Sequence, residues 1–266
     1  MSQATAALVS LVGAGPGDPE LISVKALKRL QNAEVVVYDR LISQEILDLV
    51  PPGAARIYVG KANGLHTLGQ DEINALLVKL AQAGHRVVRL KGGDPFIFGR
   101  GSEEAEFLAS HGIPFEVIPG VTAAAGCTAG LGIPLTHRGL ATGVRFVTGH
   151  CRNDQELDLN WNSLADPDTT LVIYMGLANL AEISRNLIEA GLPASTPAAA
   201  ISNGTQPGER MCRASLADLP AVAATQTLEA PVLIVIGRVV ALARSLGAQV
   251  PEPLDREDEA LEARHG

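Results

Sequence analysis

The chain has 266 residues, a length that suits two small domains or one large one at about 150 residues per domain. Hydrophobic residues make up 47% and charged residues 19%, which excludes a disordered chain and provides material for a sizeable core. Aromatics at 3% and a formal charge of −8 exclude a base-stacking module and a general phosphate-backbone binder, so no nucleic-acid partner is expected. The tail from Glu252 to Arg264 carries six acids and two bases, so the body is only mildly acidic and leaves room for a local basic cleft. Cys127, Cys151 and Cys212 lie far apart with no C-x-x-C spacing. That pattern fits a reducing cytoplasm rather than a disulfide framework or a zinc site, and no metal is expected. The opening MSQATAALVSLVGAG lacks a basic region and does not read as a signal peptide.

In chain order, near-continuous apolar runs predict strands at Leu8–Val12, Glu34–Tyr38, Arg56–Val59, Arg86–Leu90 and Phe115–Ile118, as expected of strands buried on both faces. Between them, Asp71 to Ala83 predicts a helix. Ile73, Leu76, Leu77 and Leu80 share one face, Asp71 and Glu72 suit its positive end, and Gly84 stops it. A second helix is predicted from Ser102, with Glu103 and Glu104 in its first turn and Gly112 at its end. Strand–helix alternation of this kind predicts a mostly parallel sheet with right-handed crossovers. The twenty residues between Glu116 and His137 carry no charge, long enough for a membrane span. They include Pro119, Pro134 and four glycines, which mark a buried, Gly-rich connection instead, and no membrane partner is expected.

Pro119-Gly120 reads as the hinge into a second unit. Strands are predicted there near Val144–Thr148, Leu171–Met175, Ala198–Ser202 and Val232–Ile236, with a short one at Met211–Ala214 giving a mixed sheet. Helices are expected near Leu177–Ala190 and Val239–Leu246. The expected organisation is therefore two α/β domains, 1–118 with a mostly parallel sheet and 119–250 with a mixed one, followed by a solvated, disordered acidic tail, 251–266.

Three loops carry the chemistry. Val12-Gly13-Ala14-Gly15-Pro16-Gly17-Asp18 follows the first strand, and its glycines would let backbone amides approach a ligand. The same loop serves equally as a tight structural turn. Its G-x-G-x-G spacing is not a dinucleotide fingerprint, and Pro16 removes an amide where a phosphate needs one, although Asp39 at the end of the second strand imitates a ribose-binding acid. Arg89 to Gly101, RLKGGDPFIFGRG, concentrates more. It has two glycines at a strand's carboxyl edge, Phe96 and Phe98 as apolar wall and Arg100 as a fixed cation, at the edge where open α/β sheets bind ligands. Pro119-Gly120-Val121-Thr122-Ala123-Ala124 opens a helix with hydroxyl and backbone donors, and could equally be only a linker. Arg138 after His137, and His150 after Gly149, add cations or switchable donors near strand ends.

At these loops the sequence resembles the tetrapyrrole methylase superfamily and, within it, the uroporphyrinogen-III C-methyltransferases. The resemblance runs from Val9 to about Leu246 through VGAGPGDPELIS, VVYDRLIS, VGKANG, RLKGGDPFIFGRG, PGVTAA, GIPLTHR, VTGH, YMGL, ISNGT and VIGRVVAL. The GGDPFIFGRG and PLTHR pair separates this group from diphthine synthases and ribosomal-RNA relatives. Ser102 departs from the family, which usually has a third glycine there. The dehydrogenase–chelatase module of fused sirohaem synthases has no counterpart, which implies a monofunctional form.

The resemblance implies S-adenosylmethionine as methyl donor in a cleft between two α/β domains, S-adenosylhomocysteine as product, and a homodimer. The implied reaction methylates uroporphyrinogen III at C-2 and then C-7, giving precorrin-2 by way of precorrin-1. Carried over by motif, the donor would be bound by Pro16, Gly92, Gly93, Asp94, Ile97, Thr122, Ala123, Met175 and Gly204. Asp39 would accept a proton and Lys61 donate one. Arg100 joins the catalytic set as a cation rather than a base, because a guanidinium stays protonated. Arg40, Glu103, Arg138 and His150 would face the tetrapyrrole alongside it. The substrate's eight carboxylates call for such cations despite the acidic total. Two other readings are a nicotinamide-dependent oxidoreductase, resting on Gly13 to Gly17 plus Asp39, and a non-catalytic tetrapyrrole-binding protein, which would leave the methyl-donor loops without a purpose.

Overall fold

A computed structural model describes residues 8–60, 68–150 and 157–246. Lys61, Cys151 and the acidic tail lie outside the described residues. The chain divides into two compact units. The first holds the residues up to Cys127 together with Gly204–Pro207, and the second holds Thr128–Asn203 and the residues from Gly208 onward. The hinge read from the sequence, Pro119-Gly120, therefore falls inside the first unit.

The first unit is built on five parallel strands, β1 (Val9–Gly13), β2 (Val35–Tyr38), β3 (Ala55–Tyr58), β4 (Val87–Lys91) and β5 (Phe115–Ile118), in the order β3-β2-β4-β1-β5. The central strands β1 and β4 are buried along their whole length, which explains their lack of strict apolar–polar alternation. Helices α1 (Val24–Gln31) and α2 (Gln44–Leu47) lead from β1 to β2 and from β2 to β3, while α3 (Gln70–Gln82) and α4 (Gly101–Ser110) lead from β3 to β4 and from β4 to β5. The first pair steps one way across the sheet and the second pair steps back, so right-handed crossovers must place them on opposite faces. The core agrees. Ala26, Leu30, Ile46 and Leu47 pack with Val12, Val36 and Leu90, whereas Ile73, Leu77, Ala105 and Leu108 pack with Val9, Leu11 and Val37.

Two predicted boundaries change. Helix α4 starts at Gly101 rather than being capped by Ser102, and its N-cap is Arg100 in the left-handed conformation with φ 57°. The segment expected as a helix over Val239–Leu246 is a 3-10 helix, Arg238–Arg244. Helix α5 (Ala123–Gly130) occupies part of the uncharged stretch, and no helix among the described residues is long and apolar enough to cross a membrane.

The second unit carries β6 (Gly143–Thr148), β7 (Thr169–Tyr174), β8 (Pro197–Ser202), β9 (Arg210–Ser215) and β10 (Val232–Ile236) in the order β6-β7-β10-β8-β9. Only β6 and β7 run parallel, so this sheet is mixed. Helices α6 (Trp161–Leu164), α7 (Leu180–Glu189) and α8 (Leu219–Thr225) complete it, and Ile183 and Leu187 of α7 pack on Leu171, Ile173 and Ile234.

One polar tie in the first unit has a pH signature. Glu116 of β5 accepts hydrogen bonds from Ser10 of β1 at 3.0 Å, from Lys25 of α1 at 2.8 Å and from Arg29 of α1. Partial burial works against its charge, but these donors outweigh that and hold its pKa near about 2, against an ordinary 4.5. A depressed carboxylate contributes stability that is fully present above its unfolded value and lost as pH falls toward the folded one. Glu116→Gln should cost about 1–2 kcal/mol at neutral pH. In urea titrations it should also flatten the loss of stability seen in the parent protein between pH 4.5 and about 2.

Candidate active site

Because β1 sends its crossover to one face and β4 sends its own to the other, the carboxyl ends of these neighbouring strands form the topological switch point of the first sheet, the place where open α/β sheets bind ligands. Three loops converge there. Gly15 and Gly93 exchange backbone hydrogen bonds, Gly15 N to Gly93 O at 3.2 Å and Gly93 N to Gly15 O at 2.7 Å. A Cβ on Gly13 would meet Gly120 N at 2.5 Å, and one on Gly120 would meet Gly93 O at 2.2 Å. Gly92 is also closed in, since its Cβ would lie 2.8 Å from Cβ of Leu41. These three glycines are required for backbone packing.

Gly93 is different. Its φ is +67°, and a Cβ there would find nothing closer than Ala123 N at 3.8 Å and Cα of Thr122 at 4.0 Å. A side chain there would touch the backbone at the start of α5 without colliding, so glycine answers to the left-handed backbone conformation rather than to crowding. Asp94 is committed to holding this arrangement. Its carboxylate accepts from Gly120 N at 3.1 Å and from Phe96 N at 2.8 Å, tying the β4 loop to the loop after β5. Pro16 packs beside Gly126 of α5, its carbonyl accepts from Gln206 at 3.3 Å, and Asp18 N donates to the hydroxyl of Thr205 at 3.3 Å. Gly204 is buried in this same unit, and Ile97 is half-buried in the β4 loop. The structure thus gathers Pro16, Gly92, Gly93, Asp94, Ile97, Thr122, Ala123 and Gly204 into one unit.

Asp39 follows β2, the other neighbour of β4. Its Oδ1 accepts from Leu41 N at 3.1 Å and its Oδ2 from Arg89 at 3.2 Å, and its side chain is 26% exposed. Behind it is a charge cluster that the sequence reading passed over. Arg89 and Lys91 of β4 both bond Oε1 of Glu104, at 3.0 and 2.9 Å, and Gln70 adds a bond at 3.3 Å. Burial, and then repulsion from Arg89, push the Lys91 ammonium pKa down, against the pull of Glu104. The signal was available: Arg89 and Lys91 alternate on one face of an otherwise apolar strand.

The cations expected to face substrate are exposed. Arg100 pairs with Glu103 through two bonds, Nε to Oε1 at 2.8 Å and Nη2 to Oε2 at 2.6 Å, which raises the guanidinium pKa further. Arg40 is exposed after Asp39. In the second unit, His150 and Met175 end the parallel neighbours β6 and β7, where Gly149 N donates to Tyr174 O at 2.7 Å. Met175 has φ 56° and is exposed. Arg138 lies in the turn before β6, closed by the His137–Ala141 bridge, so its backbone sits at the other end of that strand from His150. A cavity of about 180 Å³ at the N-terminal end of β7, between Thr169, Leu192, Pro197 and Arg238, contains none of the predicted residues. Lys61 lies outside the described residues.

A nicotinamide-type loop is disfavoured by the same geometry. The Gly15 amide is used by Gly93 in the loop after β4, and the glycine loop runs into a 3-10 turn at Pro19–Leu21 before α1 begins at Val24. No helix N-terminus follows the glycines directly, as a pyrophosphate site of that type needs.

The fold and the glycine-lined switch point define a two-unit α/β protein with a candidate small-molecule site at the carboxyl edge of its parallel sheet. The sequence profile of the Tetrapyrrole (Corrin/Porphyrin) Methylases matches residues 8–220, and the chain belongs to that family. A uroporphyrinogen-III C-methyltransferase of Paracoccus denitrificans is 53% identical over 258 residues, which is 97% of this chain and 89% of that protein. A siroheme synthase of Pseudomonas fluorescens is 56% identical over 238 residues. The alignment takes in 90% of this chain but spans about half, 51%, of that protein. Among solved structures, the uroporphyrin-III C-methyl transferase of Thermus thermophilus complexed with S-adenyl homocysteine matches with a TM-score of 0.75 and 39% identity, over 88% of this chain and 93% of its own.

The three-loop junction makes a stability prediction independent of any ligand. Gly120→Ala forces a methyl into the Gly93 carbonyl and should cost about 1–3 kcal/mol, read as a lower denaturation midpoint.

Proposed function

We propose that this protein transfers methyl groups from S-adenosylmethionine to C-2 and then C-7 of uroporphyrinogen III, forming precorrin-1 and then precorrin-2 for sirohaem, cobalamin or haem d1 synthesis. The observation that carries this reading is Gly93. It is held at positive φ at the switch point of a sheet in a tetrapyrrole methylase, where a Cβ would just touch the backbone of Thr122 and Ala123 without clashing. Similarity to the Paracoccus enzyme over nearly the whole chain supports the choice of tetrapyrrole. A homodimer and a cytoplasmic location belong to the same proposal, on the family resemblance alone.

The donor supplies an electrophilic methyl on a sulfonium without a metal, so the protein's own contribution is orientation, exclusion of water and movement of a proton. Gly93, Thr122 and Ala123 form the donor cradle, with Gly92 and Asp94 shaping the loop from behind and Pro16, Ile97, Met175 and Gly204 completing the proposed set. An electron-rich pyrrolic carbon attacks in line, and the double-bond rearrangement that follows releases a proton. Asp39, fixed from two sides yet partly exposed, accepts it. Lys61 is the proposed proton donor, on the family resemblance alone. Arg40, Arg100, Arg138 and His150 meet the substrate's carboxylates, and Glu103 orients Arg100 through its two bonds.

Incubation with uroporphyrinogen III and methyl-labelled S-adenosylmethionine should give singly and then doubly methylated product, with NMR placing the label at C-2 and C-7; label elsewhere on the ring would refute the assignment. In calorimetry the protein should bind S-adenosylhomocysteine and not NAD. Gly93→Ala should weaken S-adenosylhomocysteine binding about tenfold or more, because the new methyl fills the cradle, while the left-handed conformation costs the fold only about 1–2 kcal/mol.

A further inference from the structure

The charge cluster beneath Asp39 needs its own explanation. Arg89, Lys91 and Glu104 are buried, with the Glu104 side chain 0% exposed. An ion cluster of this kind is a weak source of stability compared with apolar packing, because each charge loses its hydration. The arrangement is also lopsided. Oε1 of Glu104 accepts from Arg89, Lys91 and Gln70, while Oε2 has no hydrogen-bond partner among the described residues. All of its bonds fall on one oxygen, which draws both cations to a single point.

The guanidinium of Arg89 is fixed on every nitrogen. Nε donates to Glu104 at 3.0 Å, Nη1 to the carbonyls of Val37 and Leu90 at 3.3 and 3.0 Å, and Nη2 to Oδ2 of Asp39 at 3.2 Å. Strand parity puts these groups together. Val35 and Val37 share a face of β2 with the following Asp39, Val87, Arg89 and Lys91 share the matching face of β4, and Val37 lies opposite Arg89. Asp39 is the one partly exposed member of the ion-paired set, and it stands one strand from Gly93.

We infer that Arg89 is a positioning residue for Asp39, and that Glu104 and Lys91, acting through it, set how readily the Asp39 carboxylate takes a proton. The inference rests on the proposed role of Asp39 as proton acceptor. Among the described residues, the ionisable groups near Asp39 are Arg89 and Lys91 from β4, Glu104 from α4, the exposed Arg40 that follows it, and Tyr58 of β3, whose hydroxyl and the Arg40 backbone both border Gly60. Helix α3 contributes the neutral Gln70. Removing a cation from beside a carboxylate makes the anion costlier, and removing the competing anion makes it cheaper. Arg89 and Glu104 should therefore act in opposite directions, which a purely structural cluster would not do.

The test measures turnover against pH for the full chain with uroporphyrinogen III and S-adenosylmethionine, with S-adenosylhomocysteine calorimetry reporting the fold of each variant. Asp39→Asn should lower kcat about a hundredfold or more with donor affinity nearly kept. Unchanged kcat there removes the proton-acceptor reading and this inference with it. Given that loss, Arg89→Gln should move the acid limb of the kcat profile up by about one pH unit and Glu104→Gln should move it down by a similar amount, with KM for the donor little changed. Limbs that stay in place, or shift the same way in both folded variants, overturn the inference while leaving the role of Asp39 intact. If Arg89→Gln does not fold, Lys91→Met removes a cation but leaves the Arg89–Asp39 bond. It should give a smaller upward shift, and an unmoved limb overturns the inference equally.

Discussion

Gly13, Gly93 and Gly120 meet at the carboxyl edge of the first sheet so closely that a methyl group on Gly13 or Gly120 would collide with backbone. The rest of the site depends on this contact. It locks the loops after β1, β4 and β5 to one another, and the carboxylate of Asp94 bonds Gly120 across the same junction. With the loops fixed, Gly93 holds a left-handed conformation against the start of α5. The glycine-rich sequence therefore carries two physical demands, close packing at Gly13, Gly92 and Gly120 and a positive φ at Gly93. Composition alone does not distinguish them.

Strain and charge gather around the same edge. Phe98 and Arg100 hold left-handed backbone conformations without being glycine, at a cost of order 1–2 kcal/mol each. Both lie in the loop that follows β4. The buried Arg89–Glu104–Lys91 cluster is a cost of another kind, and its connection to solvent runs through Asp39. A sheet edge that tolerates both is not built for maximal stability.

Much of the fold was legible because buried strands and amphipathic helices have short periods. Five parallel strands at nearly the predicted places, the helix over Gln70–Gln82 and the mixed second sheet all follow from local patterning. Ser102 failed as a helix cap because Arg100 takes a left-handed conformation that lets the helix begin at Gly101, and no composition rule anticipates an arginine there. The hinge drawn at Pro119 differs from the division after Cys127 because α5 begins packed against Pro16. A helix's allegiance is set by its packing partners rather than by the proline in front of it.

By itself, the sequence determined the α/β class and the motifs that mark a tetrapyrrole methylase, because each depends on residues adjacent in the chain or a few positions apart. Only the tertiary structure decided which glycines are needed for close packing and which for a positive φ, that Asp94 secures a loop, and that Glu103 takes hold of Arg100. It also brought Asp39, Arg89 and Glu104 together, residues tens of positions apart in sequence that meet because β2 and β4 are neighbours and α4 covers one face of that pair. Hydrogen bonds and exclusion of water act over a few ångströms of space, and sequence separation does not measure that distance.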